Sequence, residues 1–185
     1  MSTMPSRPRI EPLPPHPSDP GQLNIFRTMV RNKPLFTGFQ TLGSYLLTGD
    51  ALPAREREIV ILRVGYRAGA EYEFGQHTRI GLQAGLTEDE IARIATSSVS
   101  EWEPADEALI HMADELCADD VVSEATWAAL RTTWSEEQML DLLVLAGFYR
   151  LVSGMLNSVG VALEPTTPGW PATATDRRSA PRDPS

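Results

Sequence analysis

The chain has 185 residues, 42% of them hydrophobic, one cysteine, a formal net charge of -9 and a pI near 4.8. That length supports one sizeable core in a single domain. The acidic balance, with no segregated basic patch, excludes nucleic acid and anionic surfaces as partners, and the lone Cys117 excludes an internal disulfide and any Cys-x-x-Cys redox or zinc motif.

Residues 1–20 hold seven of the 15 prolines and residues 165–185 hold five more. Neither segment has enough apolar side chains to offset the entropy of ordering, so both are expected to be disordered tails flanking one helical domain over 21–164. His16 and Trp170 are expected to be exposed in them. The N-terminus has no apolar signal-like stretch and no run of consecutive apolar residues is long enough to span a membrane, which leads to the expectation of a cytoplasmic protein with no membrane partner.

Inside these limits the periodicity is helical throughout. A short helix around Leu23–Arg31 precedes residues 34–49, where Leu35, Phe39, Leu42 and Leu46 recur at three- and four-residue intervals. Residues 53–68 follow with a polar first turn and an apolar body; the strand-like run 59–62 is outweighed by the helix-forming 54–58 before it. The next helix runs over Glu71–Ala84 and is closed by Gly85. Thr87 and Glu90 form a capping box for a helix through Ala95, and Ser135 and Gln138 form another before the long apolar segment at the end of the domain. Two amphipathic helices, 104–117 and 123–134, lie between. The last segment, apolar around much of its circumference, is expected to be a central helix or part of a subunit interface. Trp102, Trp127 and Trp134 are assigned to helix packing.

The stretch 71–77 concentrates chemistry. Glu73, His77, Ile80 and Ala84 share one stripe of their helix, so the two polar groups continue an apolar face, whereas Tyr72, Gln76, Arg79 and Gln83 form a stripe that reads as solvated. Buried charge needs a partner. Glu58 shares a stripe with Ile61, Leu62 and Gly65 on the preceding helix, and a turn at Gly69 and Ala70 would bring it antiparallel to His77. The spacing admits two readings: a buried charge network that fixes helix register, or a proton donor and acceptor tuned to neutral pH. A third use, metal binding through Glu58, Glu73 and His77, has too few ligands, and His111 stands at no ligand spacing. Tyr149, Ser153 and Asn157 form a polar ladder on the last helix, either lining a pocket or satisfying itself between helices.

Arg57-Glu58, then Glu73-Phe-Gly-Gln-His77, then Gly85-Leu-Thr, together with the later segments 113–116, 134–143 and 149–161, resemble the carboxymuconolactone decarboxylase family, which includes the alkylhydroperoxidase D proteins. The resemblance spans residues 35–164 and implies an all-α orthogonal bundle with a central antiparallel helix pair. It also implies a homo-oligomer, trimer or hexamer, with sites near subunit interfaces. In the peroxidase branch the glutamate and histidine positions match Glu58 and His77, but the two cysteine positions are here Ala70 and Glu73. Dithiol peroxide reduction is therefore excluded at this site.

The decarboxylase branch uses no cofactor. Carried onto this chain it makes His77 the proton donor, with Glu58 or Glu73 orienting it or shuttling the proton, on a small carboxylated lactone or related oxygenated substrate. Tyr72, Tyr149 and Asn157 are the residues expected to contact that substrate. Arg63 and Arg67 are the cations considered for the substrate carboxylate. The alternatives are a non-catalytic oligomeric binding or structural protein and, less favoured, a peroxidase using Cys117.

Overall fold

The computed structural model describes residues 5–19, 21–96, 98 and 101–174. They form eight helices and no strand ladder: α1 (Asn24–Met29), α2 (Lys33–Thr48), α3 (Ala54–Ala68), α4 (Glu71–Gln83), α5 (Glu88–Ile94), α6 (Pro104–Asp119), α7 (Glu124–Arg131) and α8 (Glu136–Val159). The expected all-α bundle around an antiparallel pair is what the chain builds, with α3 at the centre against α4, α6 and α8.

α3 is buried on every side from Arg57 to Tyr66. Ile59, Val60, Ile61, Leu62 and Val64 are wholly inaccessible, and this burial holds a β-branched run in a helix. Its one deeply buried cation is fully used. Arg63 donates from Nε and Nη2 to both oxygens of Asp114 at 2.6 Å, and from Nη1 to the carbonyls of Ile94 and Thr96. The guanidinium fork thus ties α3 to α6 and to the end of α5. Both expected capping boxes are present, at Thr87 with Glu90 and at Ser135 with Gln138.

α8 is long and apolar enough to cross a membrane by composition, but half of it is buried in the bundle, as in a core helix. Its buried side carries Leu142, Leu145, Tyr149 and Leu156; the opposite side exposes Leu140, Val144 and Leu151. α2 departs from expectation. Leu46 is buried, but Leu35 and Leu42 are exposed, so α2 lies on the outside of the bundle with only part of its apolar stripe covered.

The expectation of free tails needs correction where the ends are described. Arg9 N donates to the Val159 carbonyl at 2.7 Å, and Arg27 Nε donates to the Leu13 carbonyl at 2.6 Å. Residues 163–170 run over α4, where Trp170 packs on Phe74 with ring centroids 4.8 Å apart and is only part-exposed. Composition undercounted these segments because a few anchors and backbone hydrogen bonds suffice to seat them. The rest of both expected tails, 1–4, 20 and 175–185, lies outside the described residues. Of the tryptophans, Trp134 is buried and Trp102 packs partly on the core, whereas Trp127 is largely exposed.

Candidate active site

The site is built on the α3–α4 hairpin. Gly69 closes α3 in the left-handed region at φ 67°, which a side chain would strain, and Ala70 N donates back to the Gly65 carbonyl at 2.9 Å. The turn folds α4 onto α3 so tightly that a Cβ on Gly81 would meet Leu62 at 3.4 Å and Glu58 Cβ at 3.8 Å. The expected antiparallel juxtaposition follows.

His77 stands between two carboxylates. Its Nδ1 lies 2.7 Å from Glu58 Oε2 and its Nε2 lies 3.1 Å from Glu73 Oε1. Glu58 is completely inaccessible, and Glu73 and His77 are 4% and 5% exposed. Burial alone would push the imidazole down, but the charge and hydrogen bond of Glu58, followed by those of Glu73, overcome it and raise His77 to about 10. At neutral pH the ring is therefore an imidazolium donating to both sides, with no free lone pair for a metal. Among the described residues no cluster of three or more His, Cys, Asp or Glu could hold an ion.

Glu73 and His77 line a cavity of about 240 Å³ bounded by α1, α2, α4 and α8. Its walls are mostly apolar and aromatic, with Phe26, Phe39, Phe148 and Tyr149 among them. Glu58 is set behind His77, off the lining. The expected group thus divides by depth: Glu73 and His77 meet the cavity, and Glu58 holds the ring from within.

The other expected contacts separate. Tyr72 and Tyr149 line the cavity, but Asn157 does not; its Nδ2 donates to the Ala68 carbonyl at 2.9 Å, which secures α8 to the end of α3. The polar ladder of α8 is not self-satisfied, since Ser153 Oγ is buried with no partner and Tyr149 carries no hydrogen bond among the described residues. Neither cation considered for a carboxylate reaches the cavity: Arg63 pairs with Asp114, and Arg67 lies 3.6 Å from the same group. No Lys or Arg is among the residues that line it. Cys117 lies away from the site on α6, and burial raises its thiol to about 11, so it stays protonated at neutral pH.

The Tyr72 and Gln76 side of α4, expected to be solvated, is covered. Glu164 accepts from the Tyr72 hydroxyl at 2.8 Å and from Asn24 N at 2.7 Å, and its other oxygen accepts from Gln76 Nε2. This carboxylate fastens α1, and with it the cavity wall formed by Leu23, Ile25 and Phe26, to α4. Periodicity along α4 cannot reveal a partner 88 residues away in sequence. The local signal was Gly75: a Cβ there would fall 2.2 Å from the Pro168 carbonyl, the close approach that a mid-helix glycine can mark.

Solved structures share this arrangement of helices. An uncharacterised peroxidase-related protein of Ralstonia eutropha JMP134, described as an alkylhydroperoxidase core, superposes with a TM-score of 0.68 at 22% identity over 76% of each chain. A cysteine-to-alanine variant of the debrominase Bmp8, in complex with 2,3,4-tribromopyrrole, gives 0.72 at 15% identity over 86% of this chain and 94% of that one. An uncharacterised peroxidase-related protein of Silicibacter sp. TM1040 gives 0.72 at 15% identity over 80% and 79%. No curated protein is significantly similar in sequence. The fold is therefore that of the alkylhydroperoxidase D-like helical proteins. In sequence, the model of the carboxymuconolactone decarboxylase family matches residues 33–115, the stretch that carries Glu58, Glu73 and His77.

Proposed function

We propose that the protein is a proton-transfer enzyme of the lyase or isomerase type, working without a thiol or cofactor on a small, oxygenated, largely apolar ring compound. The observation that carries this reading is the clamp of His77 between Glu58 and Glu73 at the wall of an otherwise apolar cavity. Glu73 accepts a proton from carbon beside a carbonyl and returns it to the resulting enolate, while the imidazolium steadies the carboxylate in both states. Loss of CO2 from a suitable acid would leave the same enolate for the same pair to protonate.

The aromatic walls favour a flat ring, and the complex of debrominase Bmp8 with a brominated pyrrole supports a ligand of that size. No Lys or Arg lines the cavity and the charge of His77 is already paired with Glu58 and Glu73, which favours a substrate with less negative charge than a dicarboxylate. Self-association belongs to the same reading, because the apolar faces of α2 and α8 need cover.

The test is a panel of 4-carboxymuconolactone and uncharged unsaturated lactones in deuterated buffer, followed by NMR for CO2 loss and deuterium incorporation. We expect His77→Gln and Glu73→Gln each to reduce turnover by about a hundredfold or more, and Cys117→Ser to leave it unchanged. Glu73→Gln keeps an acceptor for His77 and guards against a folding defect in the histidine variant. Undiminished turnover in both would overturn the assignment. Lowered melting temperatures in both variants, with no turnover of any panel member by the parent protein, would favour the structural reading of the buried cluster.

A further inference from the structure

Tyr149 lies on α8 against His77 of α4, and three observations give its hydroxyl a use. The ring is fixed: it meets His77 edge-on with centroids 4.9 Å apart and Phe148 at 5.5 Å. The residue is 3% exposed, yet its hydroxyl has no partner among the described residues. Ser153 Oγ, one turn on, is sealed off without a partner; the Tyr149 hydroxyl is not among the sealed atoms, and its residue lines the cavity. A buried hydroxyl is costly to leave unpaired, so an open donor beside an acid–base pair is completed by what enters the cavity.

We propose that Tyr149 is a catalytic hydrogen-bond donor that binds the oxygen on which negative charge develops, and that it selects carbonyl and phenol-type rings over ring compounds lacking that oxygen. The inference rests on the proton-transfer reading and supplies its missing part. When Glu73 removes a proton from carbon, the electron pair of the broken C–H bond moves into the ring, and the carbonyl oxygen takes the charge. That oxygen needs a donor that does not itself lose a proton. Tyr149 qualifies, because burial and the charges of Glu73 and Glu58 push its hydroxyl well above the usual range for tyrosine. The chemistry also accounts for a cavity that no Lys or Arg lines and whose imidazolium is already committed to Glu58 and Glu73: the substrate enters uncharged, and its charge appears only during reaction.

The test is equilibrium binding of 4-nitrophenol and nitrobenzene, which differ by the hydroxyl, to the full chain, its Tyr149→Phe variant and its His77→Gln variant. The parent protein should prefer 4-nitrophenol by about tenfold, about what one hydrogen bond contributes. Tyr149→Phe should erase that preference while leaving nitrobenzene affinity unchanged, since the ring remains. Equal weakening toward both ligands would reduce Tyr149 to packing and overturn the proposal, as would a parent protein with no preference or no binding of either. Because this readout needs no turnover, retained phenol selectivity together with undiminished turnover in the His77→Gln and Glu73→Gln variants would sink the proton-transfer reading alone.

Discussion

Two anions, Glu58 and Glu73, flank the single cation His77, and the protein's response to pH follows from that imbalance. The ring titrates at about 10 in the folded chain, against about 6.5 when exposed in the unfolded one. The raised value means that the imidazolium's contribution to stability is complete below about pH 6.5 and disappears as pH rises through about 10. Glu58 on α3, Glu73 on α4 and Tyr149 on α8 are the groups that face it. Thermal melts from pH 7 to 11 should show the parent protein losing an advantage over His77→Gln across this window, and parallel curves would contradict the ion-pair geometry. At neutral pH the same variant should be less stable by about 3–5 kcal/mol, since it leaves Glu58 buried without its cation. The residues of the clamp were legible because Glu58 and the Glu73–His77 pair sit at helical spacing on adjacent helices. Asn157 falls outside this cavity, because position on a polar ladder does not say which neighbour a side chain finds first, and for Asn157 this is the Ala68 carbonyl.

α4 shows how an element can be placed from sequence while its surroundings are not. Its start, its end and the burial of Glu73 and His77 follow from periodicity and from the glycine turn before it, whereas Ile80 on the same expected inward stripe is 38% exposed. The covering of its other side by residues 163–170 depends on long-range contacts that leave no periodic trace. Gly75 is where that covering is most demanding. In Gly75→Ala the new methyl would collide with the Pro168 carbonyl and stand 2.9 Å from Thr167 Cγ2, although alanine is the better helix former. Either the segment lifts or the overlap costs about 1–3 kcal/mol. Tryptophan emission should shift to the red as Trp170 leaves Phe74, and the shift should vanish in a Trp170→Phe background. Unchanged emission and melting would show that the segment does not press on α4. α2 illustrates the opposite limit, since its apolar repeat foretold a helix but not that Leu35 and Leu42 would face outward.

At the scale of the whole molecule, those outward residues are the surface through which we propose that the chain self-associates. Leu140, Val144 and Leu151 on α8 follow one another at near-helical intervals, with Gly147 open between them, while Leu35, Leu42 and Tyr45 do the same on α2. Small residues amid exposed leucines allow another helix to come close. Sedimentation of the purified chain should give three or six times the 20.4 kDa protomer mass, and Leu151→Arg should shift it toward the protomer. A parent protein that sediments at the protomer mass would dismiss the assembly.

The apolar residues also divide into two separate clusters: a large one around α3, and a small one in which Ile25 and Met29 meet Tyr72, Val152 and Leu156. The cavity has residues of both in its walls, and α1 is held across it by Glu164. We expect loosening of the small cluster to admit or release molecules while the main core stays closed. Substitutions at Ile25 or Met29 should then change how quickly the site exchanges its contents more than how well the chain withstands heat, and substitutions within α3 should do the reverse.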